Sequence, residues 1–316
     1  MIVTGFFPCP VCNSVDSKII FRKKSNNGDE ESVFLYRCAF CDTVYLGFQQ
    51  NQGEYDEKLY AYYKKYQGKK KEEVFSQLTR KSYSNVLHLL NAYGGGNSIL
   101  DVGSGKGDFV DAALEAGYAA EGIELSQSAV DIAQGFGLPV RNEDLFSNEI
   151  SVASRDIVTM FEVIEHLSNP VQFLDRAAEV VKPGGLIYLT TPNFNSLDRK
   201  VLGVKWDAVN REHLVYFTPV TLLNVIDKNP ELTVLHIESR NISNQLITHY
   251  KNMAVCFPFW LKHQFRQTTK AADSETLDFR IKIEKSPYLR IFKHSSNLLL
   301  NVTSLGSTIV MLLRRR

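Results

Sequence analysis

The sequence predicts an α/β fold: a mostly parallel sheet with helices on both faces. Three observations carry that expectation. From Ser98 onward, short apolar runs alternate with amphipathic helical stretches at βαβ spacing. Several of the runs are close to continuously apolar, as in SILDV and DIVTMF, which is how strands buried on both faces read. A glycine-rich turn, GSGKG, joins the first of these strands to the helix after it. The chain has 316 residues, 44% apolar and 22% charged, enough for a sizeable core. Lys plus Arg is 36 against 35 for Asp plus Glu, so the net charge is only +1 and no nucleic-acid partner is expected.

The elements follow in order. Cys9 and Cys12 form one C-x2-C pair, and Cys38 and Cys41 form another. Two such pairs read as four thiolates around a structural zinc, since a two-residue spacer aims both sulfurs at one ion. The strand-like runs Lys18–Lys24 and Val33–Arg37, with a polar turn at Ser25–Glu31, give a zinc-ribbon layout over residues 1–48. A closed four-cysteine site leaves no open position for catalysis. The fifth cysteine, Cys256, beside CFPFWL, reads as a small buried hydrophobe. Residues 49–96 form a helical linker or cap. Its first part is rich in tyrosine (Tyr55, Tyr60, Tyr62, Tyr63, Tyr66) and is read as a packing stripe. Its second part shows helical periodicity from Glu72 to Tyr93.

The core, 97–240, then alternates. Ser98–Val102 is a strand, Asp108–Glu115 a helix closed by Gly117, and Ala119–Glu124 a strand. Ser126 is placed at the cap of a helix to about Gly135, and Pro139–Asn142 is a short strand. Asp156–Phe161 is a buried strand, and Asn169-Pro170 starts a helix through Val181. Leu186–Thr191 is a strand, and Thr218-Pro219 opens the next helix. Leu232–Ser239 and Ser307–Leu313 are late strands, separated by a helical insertion at 241–304. The chain closes with a last core strand and a basic tail over 305–316.

The turn SILDVGSGKGDF carries the ligand argument. Gly103, Gly105 and Gly107 allow a tight turn and close approach of bare backbone. In an open α/β sheet, ligands sit beyond the carboxyl ends of the strands. A dinucleotide loop would place its third glycine at 108, which is Asp108 here. Glu124, at the end of the second core strand, can accept both hydroxyls of a ribose. Asp144, in NEDLF, can accept from an adenine amino group.

With EVIEHL and KPGGLIYLTTPN after that loop, the chain resembles the class I S-adenosylmethionine-dependent methyltransferases, in the branch that contains the ubiquinone-pathway O-methyltransferases. The resemblance implies a Rossmann-like sheet of seven strands with an antiparallel last strand. It implies S-adenosylmethionine as cofactor, with Gly103, Ser104, Gly105 and Gly107 along its methionine part and Asp101 orienting that loop, within reach of the amino group. Glu124 would take the ribose, Leu125 would flank the adenine, Asp144 and Leu145 would hold its edge, and Phe161 and Glu162 would line the sulfonium. An oxygen acceptor also needs a general base, for which His166 and His213 are the candidates. Asn193, Trp206 and Tyr216 are placed near the acceptor.

A zinc ribbon and Tyr-rich segment ahead of such a core look like bacterial proteins linked to sugar or surface-polysaccharide modification. The expected acceptor is therefore a small molecule or glycan, methylated on oxygen. An NAD-dependent sugar oxidoreductase and a non-catalytic binding protein are the alternatives. The insertion is expected to serve the acceptor site or a homodimer contact. MIVTGFFPCPVC lacks the basic start and apolar core of an export signal, and no run approaches the ~18 apolar residues of a membrane span, so a cytoplasmic protein is expected. Peripheral membrane contact through 257–261 and Arg314–Arg316 is the lesser alternative to core packing and a solvated tail.

Overall fold

The computed structural model describes residues 7–23, 33–47, 62, 63, 65, 66, 68, 69, 71, 77–243, 245, 246 and 287–316. The turn at 25–31, Tyr55, Tyr60, Cys256, the 257–261 cluster and most of the 241–304 insertion lie outside the described residues.

The ribbon opens with β1 (Ser17–Lys23) and β2 (Val33–Cys38), paired antiparallel. Then comes β3 (Val44–Leu46), directly after the second cysteine pair. Its other edge is covered by β9 (Val215–Tyr216), with Val44 opposite Tyr216 and Tyr45 opposite Val215. The four-stranded ribbon sheet, β1-β2-β3-β9, thus takes a strand from far along the chain. Sequence periodicity did not reveal β9, because two residues are too few to show a period.

The main domain begins with α1 (Gln77–Ala92), β4 (Ser98–Val102), α2 (Asp108–Glu115), β5 (Ala119–Glu124), α3 (Gln127–Gly135) and β6 (Val140–Asn142). It continues with β7 (Arg155–Phe161), α4 (Pro170–Val180), β8 (Val181–Pro192), α5 (Leu197–Leu202), α6 (Pro219–Ile226) and β10 (Leu232–Arg240). It ends with α7 (Pro287–Val302) and β11 (Thr308–Arg315). The seven-stranded sheet runs β10-β11-β8-β7-β4-β5-β6. Strands β8, β7, β4, β5 and β6 are mutually parallel, and β11 is antiparallel to both its neighbours. The order reverses at β4, which has β5 on one side and β7 on the other, so a crevice opens beyond the carboxyl ends of β4 and β7.

Alternate residues of each central strand supply two cores. Leu100, Val102, Val158, Met160, Ile187 and Leu189 pack with α4, α6 and the ribbon cysteines. Ile99, Ile157, Leu186 and Tyr188 pack with α1, α2 and α3. Full burial of side chains this size is worth about 1.5–3 kcal/mol each, which makes these strands the most costly part of the fold to disturb. The caps at Asn169 and Thr218 form as the sequence indicates: Asn169 accepts from the Gln172 amide at 3.1 Å, and Thr218 and Thr221 form a reciprocal capping box. Ser126 precedes α3 but makes no side-chain cap. Helix α4 ends at Val180, one residue before the expected end, because Pro183 disfavours helical backbone at Lys182. Strand β8 therefore starts at Val181, not Leu186, with an irregularity at KPGG. The short helix α5 was not expected from the sequence.

Candidate functional site

The glycine loop leaves β4 at the switch point. Gly103, Gly105 and Gly107 have φ of 68°, 54° and 87°, left-handed values that favour residues without a Cβ. A Cβ on Gly103 would lie 2.6 Å from Val163 Cγ2, and one on Gly105 would lie 2.9 Å from the Tyr63 hydroxyl. The loop is thus wedged between the segment after β7 and the tyrosine-rich segment. Tyr66 also receives the Lys106 ammonium 5.2 Å from its ring centroid. Tyr63 and Tyr66 of that stripe therefore pack on the ligand loop, a location that composition did not specify.

Glu124 ties this loop down. Its Oε2 accepts from the Gly105 amide at 2.9 Å, and its Oε1 accepts from the Ser126 amide at 2.8 Å. A carboxylate has about four acceptor positions, so two remain for a pair of vicinal hydroxyls. Leu125 beside it is 65% exposed, an uncovered apolar surface. Asp144 accepts from the Phe146 amide at 2.8 Å through Oδ1. The Leu145 side chain is buried in the core, so only its backbone can meet a ligand. Ser104 likewise offers backbone only: its side chain is tucked against Gly122, where a Cβ would come within 2.5 Å of the hydroxyl.

Asp101 is buried and accepts a 2.6 Å hydrogen bond from Thr159. Burial pushes its pKa up to about 8, and the nearby Glu124 and Asp108 carboxylates add to the rise. Phe161 belongs to an aromatic group with Tyr83, Phe109 and Tyr188, at ring separations of 4.8–5.4 Å. Tyr83 was missed at the sequence level because its helix position reads as ordinary periodicity.

The second half of the site lies just beyond β7. Glu162 has φ of 55°, strained for a residue with a side chain, and its amide donates to the Thr190 carbonyl at 3.1 Å. The residue is exposed, yet partial desolvation of its carboxyl raises the pKa. Three residues on, Glu165 is fully buried. Its Oε2 accepts from Thr191 at 2.9 Å, while Oε1 has no hydrogen-bond partner among the described residues. Burial, then the Glu162 carboxylate, drives the Glu165 pKa well upward.

His166 and His213 come together edge to face, with ring centroids 4.8 Å apart. His166 Nδ1 lies 2.9 Å from the Glu212 carbonyl oxygen, which can only accept, so Nδ1 carries the proton and the lone pair resides on Nε2. Burial lowers the His166 pKa. Burial and the neighbouring His166 push His213 down to about 3. That makes His213 a weak proton acceptor, which counts against it as a general base. Its buried Nδ1 has no hydrogen-bond partner among the described residues. Glu165, His166 and His213 each bring a ligand atom within 4.8 Å of the others. One carboxylate and two neutral imidazoles form a donor set suited to a divalent cation. Glu165 stood in the EVIEHL motif, but nothing in the sequence pointed its side chain at His213. Asn193, Trp206 and Tyr216, placed near the acceptor from sequence, are buried: Asn193 donates to the carbonyls of Ser304 and Gly306, the Tyr216 hydroxyl donates to that of Asn210, and the Tyr216 ring centroid lies 6.2 Å from that of His213.

The four ribbon thiols form the remaining cluster, all within 4.8 Å of one another. Cys9–Cys41 and Cys12–Cys38 sulfurs are each 3.5 Å apart, close to the ~3.8 Å edge of a tetrahedron with 2.3 Å zinc–sulfur bonds. The two knuckles repeat one turn. Asn13 and Asp42 both have φ near 60°, and both donate to the carbonyl of the first cysteine of their pair. Burial raises the Cys9 thiol. For Cys38 burial also pushes up, but the Cys41 and Phe40 amides outweigh it and bring the pKa to about 7. These residues fit zinc.

A groove of about 720 Å³ lined by Arg80, Ser84, His88, Asn97 and Tyr118 lies at the amino ends of the strands, away from the glycine loop. Among the described residues, no helix is long and apolar enough to cross a membrane.

Comparison with known proteins agrees with this geometry. A family model described as a methyltransferase domain matches residues 71–236, just over half of the chain. The ubiquinone biosynthesis O-methyltransferase of Paracidovorax citrulli is 35% identical over 109 residues, 32% of this chain and 46% of that protein. Its namesake from Shewanella pealeana is 27% identical over 151 residues, 43% of this chain and 64% of that protein. The chain thus spans about half the length of the curated relatives it matches. The crystal structure of a SAM-dependent methyltransferase from Archaeoglobus fulgidus aligns over 77% of this chain and 97% of its own, at 15% identity and a TM-score of 0.49, a likeness too remote to argue from. With a glycine loop at the switch point of this sheet and a family match over just over half its length, the chain belongs to the methyltransferase-domain family, as a class I S-adenosylmethionine-dependent member.

Proposed function

We infer that the protein transfers a methyl group from S-adenosylmethionine to an oxygen atom of a small-molecule acceptor. The observation that carries this reading is the meeting of two half-sites at one switch point: the Glu124-clamped glycine loop and the Glu165–His166–His213 cluster, joined where Gly103 touches Val163. When bound, the cofactor supplies a methyl already activated on a sulfonium. The chain's own residues have three tasks.

Gly103, Gly105 and Gly107, with the Ser104 backbone, line the amino-acid end, and Asp101 lies behind them. Glu124 accepts the ribose hydroxyls. Leu125, Asp144 and the Leu145 backbone receive the adenine, and Phe161 and Glu162 border the reacting end. The aromatic group around Phe161 keeps water from that end, so that the acceptor is the only nucleophile held in line. His166, through Nε2, takes the acceptor proton, while His213 packs against it. A second reading of the same cluster is favoured by the unpartnered Glu165 Oε1 and His213 Nδ1: a divalent cation held there would lower the pKa of an acceptor hydroxyl.

The relatives named as O-methyltransferases support oxygen as the methylated atom. The ribbon and tyrosine-rich segment support a glycan or sugar-containing acceptor. We assign the ribbon to 1–48, the cap to 49–96, the core to 97–240 with its last strand in 305–316, and the insertion to 241–304. Cys9, Cys12, Cys38 and Cys41 hold a structural zinc.

Equilibrium titration tests the cofactor: binding of S-adenosylmethionine but not NAD is expected. Transfer of labelled methyl is then measured on phenols, sugars and lipid-linked sugars. Label recovered on nitrogen or carbon, or on no acceptor class, would sink the oxygen reading. Elemental analysis should find about one zinc per chain.

A further inference from the structure

The ribbon and the acceptor half-site share one hydrogen-bonded path. Cys38 and Cys41 form the second knuckle, and β3 follows three residues later. The Leu46 amide, at the end of β3, donates to the Leu214 carbonyl at 2.8 Å. The Leu214 amide in turn donates to the Glu165 carbonyl at 2.8 Å. Next in the chain, His213 faces His166, whose Nδ1 meets the Glu212 carbonyl. From the far side, the Asn224 side chain of α6 donates to the Cys41 carbonyl at 3.3 Å. The Tyr45 hydroxyl reaches back to the Phe7 carbonyl at 3.0 Å, so the first knuckle is also drawn against β3. Cys9, Cys38 and Tyr45 lie in the same apolar core as Ile164, Val215 and Phe217.

In the segment 207–217, Phe217 forms a bridge with Asn193, and the Asn210 side chain accepts from the Glu212 and His213 amides, but regular structure is short. The segment contains only the two-residue strand β9, whose sheet partner is β3. A short strand does not persist by itself, and its stability comes from the sheet it joins. That sheet has three ribbon strands, and its knuckles are closed only when four thiolates share an ion.

We propose that the metal-loaded ribbon is a positioning device for the reaction, with Leu46 as the positioning residue that sets the pose of His213, His166 and Glu165. The proposal deepens the assignment of that cluster to the acceptor side. Its test does not need the acceptor, so its failure is separable from failure of that assignment.

Amide hydrogen exchange is measured on the full chain as purified, after zinc removal with a chelator under reducing conditions, and after zinc is restored. On removal, segments 164–167 and 207–217 should exchange about tenfold faster or more and recover with zinc, while 101–107 changes by less than about twofold. S-adenosylmethionine affinity should stay within about threefold, because the glycine loop and Glu124 lie on the other side of the crevice. Unchanged exchange at 207–217 would overturn the proposal. So would a uniform acceleration that includes 101–107, since the metal would then hold the whole fold and not this site. Leu46→Pro deletes the amide that reaches Leu214 and leaves the four thiols in place. With zinc retained, it should reproduce the selective acceleration at 164–167 and 207–217. Protection of those segments in this variant, or less than a tenth of an equivalent of zinc in the purified chain, would also refute it.

Discussion

The two halves of the site are built by different means. The cofactor half is local: Asp101 to Gly107 is one continuous stretch, the end of β4 and the turn after it, and Glu124 is the last residue of the adjacent strand. The acceptor half is assembled from three distant pieces, the EVIEHL segment, the loop ending at β9, and the ribbon strand β3. The first needs only a strand, a turn and a neighbour in register. The second needs a separate sheet to be present before its histidines can meet. A methyltransferase-family core can therefore keep one cofactor cradle while the wall that faces the acceptor is supplied by whatever packs beside it.

Variants can break this division. The largest effect is expected from His166→Ala. Loss of a general base typically costs 10²–10⁴-fold, so transfer should fall by roughly that factor with S-adenosylmethionine affinity unchanged. His213→Ala should cost much less if His213 only packs. Equal losses in both, together with wild-type transfer that is lost on chelation and restored by added divalent cation, would favour the cation reading of the cluster.

Glu124→Ala should act on the other half. It removes two charge-assisted bonds to backbone and the ribose contacts, each worth about 1.5–3 kcal/mol, so cofactor affinity should drop roughly a hundredfold by titration calorimetry. An unchanged affinity would remove Glu124 from the cradle.

Gly103→Ala probes the seam between the halves. A left-handed φ of 68° costs an L-residue about 1–2 kcal/mol, and the Val163 contact adds to it. A fall of several degrees in Tm is expected, and an unchanged Tm would mean that the turn relaxes.

A separate effect concerns pH. Asp101 has its pKa raised to about 8 in the folded protein, against about 3.9 for an ordinary aspartate. The stability this contributes is fully present below about pH 4 and is lost as pH rises through about 8. Asp101→Asn should flatten that part of the Tm–pH curve. A bound ammonium group favours the carboxylate, so S-adenosylmethionine should bind with release of a fraction of a proton near pH 7, read by calorimetry in two buffers. Proton release that persists in Asp101→Asn would assign it elsewhere.

Much of this protein was legible along the chain. Strands β4 and β5 and helix α2 begin and end where apolar runs, glycines and caps place them. The two cysteine pairs announced a four-thiol cluster by spacing alone. These features are legible because their causes act within a few residues: a left-handed turn demands glycine, and a doubly buried strand demands an apolar run. The side-chain directions of Ser104 and Leu145 were not legible, since burial decides them and burial is a property of the packed sheet. Nor was strand β9, whose two residues are ordered by β3 from the other end of the sequence. The depressed basicity of His213 and the unpartnered oxygen of Glu165 arise only once three separate segments exclude water together. Local chemistry thus determined the cofactor loop, and tertiary packing decided the acceptor wall, because desolvation and long-range strand pairing do not exist until the chain has folded.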